Sequence, residues 1–415
     1  MNHFGKRAGV LHAEDVSLVD LAQRFDTPVY VYSQATIARH VRVLTEAIAQ
    51  LPHRLCYAVK ANGNLALLDL IRALGVGFDA VSLGELKRLE QIAAAPETII
   101  FSGVGKRDDE IRAALAAGVL YICVESAEEL DAISRIAAER GTPAPVSIRV
   151  NPDVDPKTHP YIATGMKENK FGVPIDAAQQ LYHRELNNPH LSLVGVTCHI
   201  GSQITELTPF VDAASLMADF ATSLRAMGVP LQHLGMGGGL GVPYSNSEKP
   251  PDPAHYGRAL ADILAPTGLT IVFEPGRVIV GNAGILLTRV VRVKPGSDRL
   301  FVIVDAGMND LVRPSLYGAK HVAEAVTATG EVTAVDLVGP VCESADTFGK
   351  GILLPPLVAG DLIALRTAGA YGFAMASTYN GRPLPAEVLV SGQHAQLIRH
   401  RGTYEDLWRG ESRLG

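Results

Sequence analysis

The chain predicts an α/β protein: a (β/α)8 TIM barrel followed by a mostly β C-terminal domain, a sandwich or small barrel. Three observations predict it. Between residues 55 and 274, eight short apolar runs alternate with amphipathic helical patterns. The residues of greatest chemical interest in that stretch stand at or just after the C-terminal ends of those runs. After residue 280 the pattern becomes strand-like and long helical periodicity is nearly absent.

The eight expected strands are 55–59, 77–80, 98–101, 121–124, 146–150, 193–199, 231–236 and 270–274. Helical patterns fall between them at 65–74, 83–94, 108–117, 127–140, 209–227 and 253–264. Gly75, Gly118 and Gly228 stand where C-caps are expected. A doubly wound open sheet has the same alternation, so counting strands does not separate the two folds. Motif position does. Lys60, His199, Gly237-Gly238-Gly239 and Glu274 all fall at strand ends, which a barrel gathers on one face and an open sheet would spread apart. Beyond residue 280, strands are expected at 285–293, 300–304, 331–338, 361–365 and 387–391, with one helical pattern at 314–326. The domains are expected at 28–278 for the barrel and at 1–27 plus 279–415 for the β domain. The strand-like Pro28-Val29-Tyr30-Val31-Tyr32 suits either one.

At 415 residues the chain exceeds one ordinary core, and 47% apolar with 19% charged residues describes a globular protein. A net charge of -6 without a basic block argues against nucleic acid as a partner. The N-terminal residues lack the apolar core of a signal peptide, and no apolar run reaches membrane-spanning length. A cytoplasmic protein is expected. Cys56, Cys123 and Cys198 lie in apolar runs and read as small core hydrophobes. Cys342 lies in the turn-like Gly339-Pro340-Val341-Cys342-Glu343-Ser344, beside a carboxylate. Metal-ligand spacing is absent, so no metal site is expected.

Lys60 ends the apolar run Leu55-Cys56-Tyr57-Ala58-Val59. A lysine there must be exposed at the strand tip, paired, or neutral, and a neutral amine is what Schiff-base chemistry needs. The plain alternative is a lysine snorkelling past a strand. The three glycines at 237–239 follow a strand and precede a helix, which suits backbone N–H groups surrounding an anion or an ordinary tight turn. Their spacing is not the dinucleotide fingerprint. Pro275-Gly276-Arg277 adds N–H groups and a guanidinium at the next strand end, matching the phosphate position after barrel strands seven and eight. Glu274 wants a cation or a proton; an ion pair and a partner for a protonated pyridine nitrogen both fit. His199 reads as a satisfied core histidine or as a ring lying flat on a cofactor, with Ser202 as a phosphate donor. The segment 151–174, with Pro152, Pro156, Pro160, Gly165, Gly172 and Pro174, is an unusually long loop placed to cover such a site.

Taken in order, Ala58-Val59-Lys60-Ala61-Asn62, His199-Ile200-Gly201-Ser202-Gln203, Gly237-Gly238-Gly239 and Glu274-Pro275-Gly276-Arg277 resemble the fold-type III pyridoxal-phosphate-dependent decarboxylases. The segments 308–317, 339–344 and Gly369-Ala370-Tyr371-Gly372 narrow the resemblance to the diaminopimelate decarboxylase family, from about residue 10 to 405. The resemblance implies decarboxylation of meso-2,6-diaminopimelate to L-lysine and carbon dioxide, the last step of lysine biosynthesis, with pyridoxal 5'-phosphate as cofactor. It implies that Lys60 carries the cofactor, with Asp79 as a helper carboxylate and His199 stacked on the ring. Glu274 would lie at the pyridine nitrogen, and Ser202, Gly239, Pro275, Gly276 and Arg277 around the phosphate. Tyr371 would touch cofactor and substrate. Arg277, Arg313, Tyr317 and Glu343 would bind substrate, and Cys342 would donate the proton. Cys342 and Glu343 would come from the second subunit of a homodimer. The sequence departs from the family pattern at Leu83 and Val278, neither of which carries a catalytic role.

Paired arginines suit a distal carboxylate and Glu343 a distal ammonium, which favours a diamino diacid over ornithine or arginine. Retention of Lys60, Glu274 and Cys342 argues against a catalytically silent homologue. An alanine-racemase-like enzyme would be expected to carry arginine where Glu274 stands.

Overall fold

The computed structural model describes residues 2–162, 164, 169–245 and 247–415. The chain divides into two compact units: Met1–Arg39, Pro243–Glu248 and Ile279–Gly415 form one, His40–Val242 and Lys249–Val278 the other.

The second unit is a closed barrel. Its eight parallel strands are His53–Ala58, Gly77–Ala80, Ile99–Phe101, Tyr121–Val124, Ala144–Asn151, Leu191–Cys198, His233–Gly237 and Thr270–Phe273. Each pairs with the next, and the eighth returns to the first through Ile271↔His53 and Phe273↔Leu55. Closure settles the choice between barrel and open sheet, and all eight expected strands are present. Short apolar strands are buried on both sides here, as a barrel wrapped in helices requires. Cys56, Ile100, Tyr121, Cys123, Val194 and Val272 pack together in the interior. Several of the intervening helices begin at side-chain caps: Ser82 accepts from the Glu85 N–H, Ser126 from Glu129 and Asp252 from Ala254. Helix Asp108–Ala117 ends at Gly118 in the left-handed conformation.

The other unit is built on a long strand, Gly284–Pro295. Its first half pairs with Val29–Ser33 and with Leu362–Leu365, and its second half with Leu300–Val304. One strand thus belongs to two sheets, which extend through Thr333–Val338 and Thr347–Leu354 on one side and Ala386–Ser391 and His394–Arg399 on the other. Alternate residues Val29, Val31, Ile285, Leu287, Val388 and Val390 share one core cluster.

Two expectations are corrected here. The stretch 28–39 lies with the β unit rather than the barrel, because Val29–Ser33 hydrogen-bonds antiparallel to Gly284–Leu287 and parallel to Ala386–Val390. The helical pattern at 314–326 yields only the helix Arg313–Tyr317. Gly318, at φ 61°, ends it, and Ala323–Ala325 then joins the sheet. The strand Thr347–Leu354 was not expected; with Gly349 and Gly351 inside it and a charged Lys350 between, it lacks an apolar signature. Among the described residues, no helix is long and apolar enough to cross a membrane.

Candidate active site

The register of the barrel brings the first candidates together. Ala58 is paired with Asp79, so the lysine two residues further on leaves its strand directly beside that carboxylate. Lys60 occupies a single 3-10 turn, Val59–Ala61. Its Nζ lies 3.5 Å from Asp79 Oδ2; the lysine side chain is 42% exposed and the aspartate 1%. Of the three options open to a strand-end lysine, exposed and paired are both realised. The other Asp79 oxygen is buried and has no hydrogen-bond partner within the described residues. The Ala58 N–H donates to the Pro275 carbonyl at 3.0 Å, which ties the base of this turn to the loop after strand eight.

Glu274 begins that loop, and its N–H donates to the Gly237 carbonyl at 2.8 Å. Its carboxyl is raised above the usual carboxylate range, first by burial and then by the nearby charge of Asp79; Lys60 and Arg149 oppose the shift. In this state the proton is favoured on Glu274. A cation placed against it would reverse that preference.

His199 follows strand six. Its Nδ1 accepts the Gly238 N–H at 3.2 Å, which leaves the proton of a neutral imidazole on Nε2. Burial, then Arg149 and Lys60, hold its pKa well below the ordinary histidine range, so the neutral form is also favoured electrostatically. An uncharged, fixed ring is what stacking on an aromatic cofactor requires.

The glycine loop fits against these groups with no room for side chains. A Cβ on Gly238 would lie 2.3 Å from the Glu274 carbonyl oxygen. Gly239, at φ +109°, would place one 2.5 Å from the Gly201 carbonyl. Ser202 accepts from Arg277 Nη2 at 2.9 Å, joining the loops after strands six and eight. Arg277 is 6% exposed and opens the short helix Arg277–Val280, so Pro275 and Gly276 lie at its N-terminal end.

Three contributors were not assigned roles from sequence. Gln203, at φ 57°, uses both ends of its amide on Val242: Nε2 donates to the carbonyl at 2.7 Å and Oε1 accepts the N–H at 3.2 Å. It ties the loop after strand six to the glycine loop. A glutamine that closes a recognised motif carries no signal of its own role until the fold shows what it reaches. Arg149 and Glu125 form a buried pair at 2.7 Å, and Glu125 also accepts the Gly172 N–H at 2.7 Å. These residues sit mid-strand and at a strand end, where a charged residue in an apolar run was the available clue.

The long loop packs on the segment after strand six. Thr164 Oγ1 donates to the His199 carbonyl at 2.7 Å, the Ser202 N–H donates to Ile162, and Thr158 Oγ1 donates to Ser202. Of the residues expected in it, Gly165 lies outside the described set.

The remaining candidates belong to the β unit. Arg313 opens the helix Arg313–Tyr317 and is 4% exposed, with its guanidinium 4.5 Å from the centre of the Tyr244 ring. Cys342 and Glu343 are exposed on an irregular segment. The Cys342 N–H donates to Asn380 Oδ1 at 2.9 Å, and Tyr379 Oη donates to Glu343 Oε2 at 2.9 Å. A turn at 377–381 therefore fixes both residues, a support not foreseen from sequence. Tyr371 adopts a left-handed backbone, φ 55°, between tightly packed glycines: a Cβ on Gly372 would lie 2.3 Å from the Ala368 carbonyl. The buried cysteines behave as expected of core residues, and burial pushes the Cys198 thiol up to about 12. Among the described residues, no cluster could hold a metal ion.

The barrel set fits a pyridoxal phosphate group. It offers an amine beside a carboxylate, a neutral ring, a carboxyl that would gain from a cation, and a glycine-lined loop with a hydroxyl and a guanidinium for a phosphate. Residues 34–281 match the pyridoxal-binding domain of the pyridoxal-dependent decarboxylases. A diaminopimelate decarboxylase of Pseudomonas aeruginosa is 50% identical over the whole of both chains, and one of Vibrio cholerae 47% identical over the same extent. The crystal structure of diaminopimelate decarboxylase from Helicobacter pylori complexed with L-lysine superposes with a TM-score of 0.92 at 44% identity, covering 94% of this chain and 98% of that one. With this identity along its full length and the strand-end constellation in place, the chain belongs to the diaminopimelate decarboxylase family of pyridoxal-dependent decarboxylases.

Proposed function

We propose that the protein decarboxylates meso-2,6-diaminopimelate to L-lysine and carbon dioxide, the closing step of lysine biosynthesis, with pyridoxal 5'-phosphate bound in the barrel unit. The observation that carries this reading is the gathering of Lys60, Asp79, His199 and Glu274 at one end of a closed barrel, in a chain half identical to a named diaminopimelate decarboxylase.

The bound cofactor supplies an electron sink, a protonated pyridine ring able to take up the pair released when the carboxylate leaves. The protein supplies placement and protons. Lys60 would hold the cofactor through its side-chain amine. Asp79, buried beside it, stabilises the protonated lysine and steadies its position. Glu274 would hold the ring-nitrogen proton: its own proton is favoured in the present state, and a facing cation lets it ionise. His199 offers an uncharged ring for stacking. Ser202, Gly239, Pro275, Gly276 and Arg277 would form the phosphate cradle.

In the β unit, Arg313 suits the distal carboxylate of the substrate, with Tyr317 and Tyr371 as further contacts and Glu343 for the distal ammonium; Arg277 of the barrel unit is a further substrate contact. The Cys342 thiol returns a proton to the substrate carbon. We assign Cys342 and Glu343 to the active site of a second subunit, in a cytoplasmic homodimer. Their exposure in the single chain supports a role completed by another copy. The test is a decarboxylation assay with meso-diaminopimelate beside ornithine and arginine. Carbon dioxide should come from the diacid; turnover of ornithine alone overturns the substrate assignment.

A further inference from the structure

We propose that His321 is the positioning residue that sets Arg313 for a carboxylate ligand. The proposal rests on the reading of Arg313 as the arginine that receives the substrate's distal carboxylate.

The geometry begins with Gly318, whose left-handed conformation turns the chain at the end of the helix Arg313–Tyr317. His321 then comes back over Arg313, and its Nε2 lies 3.0 Å from Arg313 Nη1. A guanidinium only donates, so Nε2 must accept. The Nδ1 of the same ring lies 2.8 Å from the Arg366 carbonyl, which only accepts. Both contacts are satisfied by one tautomer alone: neutral imidazole with its proton on Nδ1. The Arg366 carbonyl that selects it follows strand Leu362–Leu365, and the Arg366 N–H donates to Val322 at 2.8 Å. The tautomer is therefore set by the sheet.

Tyr244 completes the arrangement. Its ring lies under the guanidinium at 4.5 Å and meets the His321 ring edge-to-face at 5.2 Å. Arg313, His321 and Tyr244 are 4%, 5% and 6% exposed. The tyrosine ring backs the guanidinium, and the histidine hydrogen bond limits its rotation.

The choice of a histidine is informative. A carboxylate at this position would also accept from Arg313, but it would cancel the charge that an incoming carboxylate needs. A neutral acceptor orients the guanidinium and leaves its charge in place. A guanidinium held in one orientation favours a planar ligand that it can meet bidentately, which is a carboxylate. His321 thus contributes to selection of an amino-acid end over a bare amine.

The test compares inhibition by L-lysine, which carries a carboxylate, with inhibition by cadaverine, the diamine of the same chain length. It uses cofactor-loaded protein carrying His321→Phe, which keeps a ring but loses the acceptor, and His321→Gln, which keeps an acceptor. We expect His321→Phe to weaken lysine about tenfold and to raise the KM for meso-diaminopimelate by a similar factor, as for loss of a hydrogen bond to a charged group. Cadaverine should change less than about twofold, and His321→Gln should recover most of the lysine affinity. A merely structural role would weaken both inhibitors together, in both variants, and that result overturns the proposal. Arg313→Ala, measured alongside, separates the two levels. If it loses lysine affinity while His321→Phe keeps it, the positioning role fails and the reading of Arg313 stands. If Arg313→Ala itself keeps lysine affinity, the reading of Arg313 fails and the inference with it.

Discussion

Gln203→Met tests how the glycine loop is held. The substitution keeps length and apolar volume and removes the amide. Two hydrogen bonds are lost, at 2.7 Å to the Val242 carbonyl and 3.2 Å from its N–H, and both Val242 groups are left without that partner beside a 4%-exposed side chain. At about 0.5–1.5 kcal/mol for each bond, the loop arrangement loses about 1–3 kcal/mol. If that cost falls on the conformation that binds phosphate, the dissociation constant for pyridoxal phosphate rises about tenfold, and at most about a hundredfold. The backbone is not newly strained, since Gln203 already holds its left-handed φ of 57° without being glycine. The assay is titration of cofactor-free protein with pyridoxal phosphate, followed by visible absorbance, with a melting curve to show the fold intact. A dissociation constant within about twofold of the parent's, with the fold retained, would refute the idea that this amide braces the cofactor loop.

Three further predictions follow from the same groups. Glu274→Gln should lower turnover by more than tenfold, about 1.4 kcal/mol of barrier, while changing cofactor affinity much less; steady-state rates and the absorbance titration read the two separately. The carboxyl of Glu274 is raised from the ordinary value to about 8 in the folded cofactor-free protein. Folded protein then keeps a proton that the unfolded chain releases, so this group's contribution to stability is complete below about pH 4.5 and declines as pH rises toward 8. Denaturant melts of parent and Glu274→Gln cofactor-free protein from pH 5 to 8 should show a steeper fall in the parent; parallel profiles would contradict the assignment. Finally, mixing inactive Lys60→Ala with inactive Cys342→Ala protein should restore about a quarter of the parental sites if subunits exchange at random, because half of the dimers are hybrids with one complete site of two. Verified exchange without recovery would place both residues in sites built from a single chain.

Much of the barrel was legible because its signals are local. Short apolar runs closed by Asn, Gly or Ser mark strand ends, and Lys60, His199 and Glu274 each follow such a run, so fold and site could be read together. The β unit was less legible. Val29–Ser33 pairs with residues more than 250 positions away, and no local pattern can announce such a partner. The helical pattern at 314–326 was cut short by Gly318, a C-cap within it. Supporting residues were the least visible. Gln203, His321, Tyr379 and Asn380 act through one or two hydrogen bonds each, to groups 8 to 45 positions distant. Their residue types are common in surface loops, so only the folded chain distinguishes them.

The central claim is that the strand-end constellation around Lys60 is the catalytic centre. Borohydride reduction of cofactor-loaded protein, followed by peptide mapping, tests it most directly. The account predicts one reduced pyridoxyl group, on Lys60, with loss of activity in proportion to labelling, and no label there in Lys60→Ala. Label on another lysine of the loaded native protein, or full activity retained after complete labelling of Lys60, would contradict it.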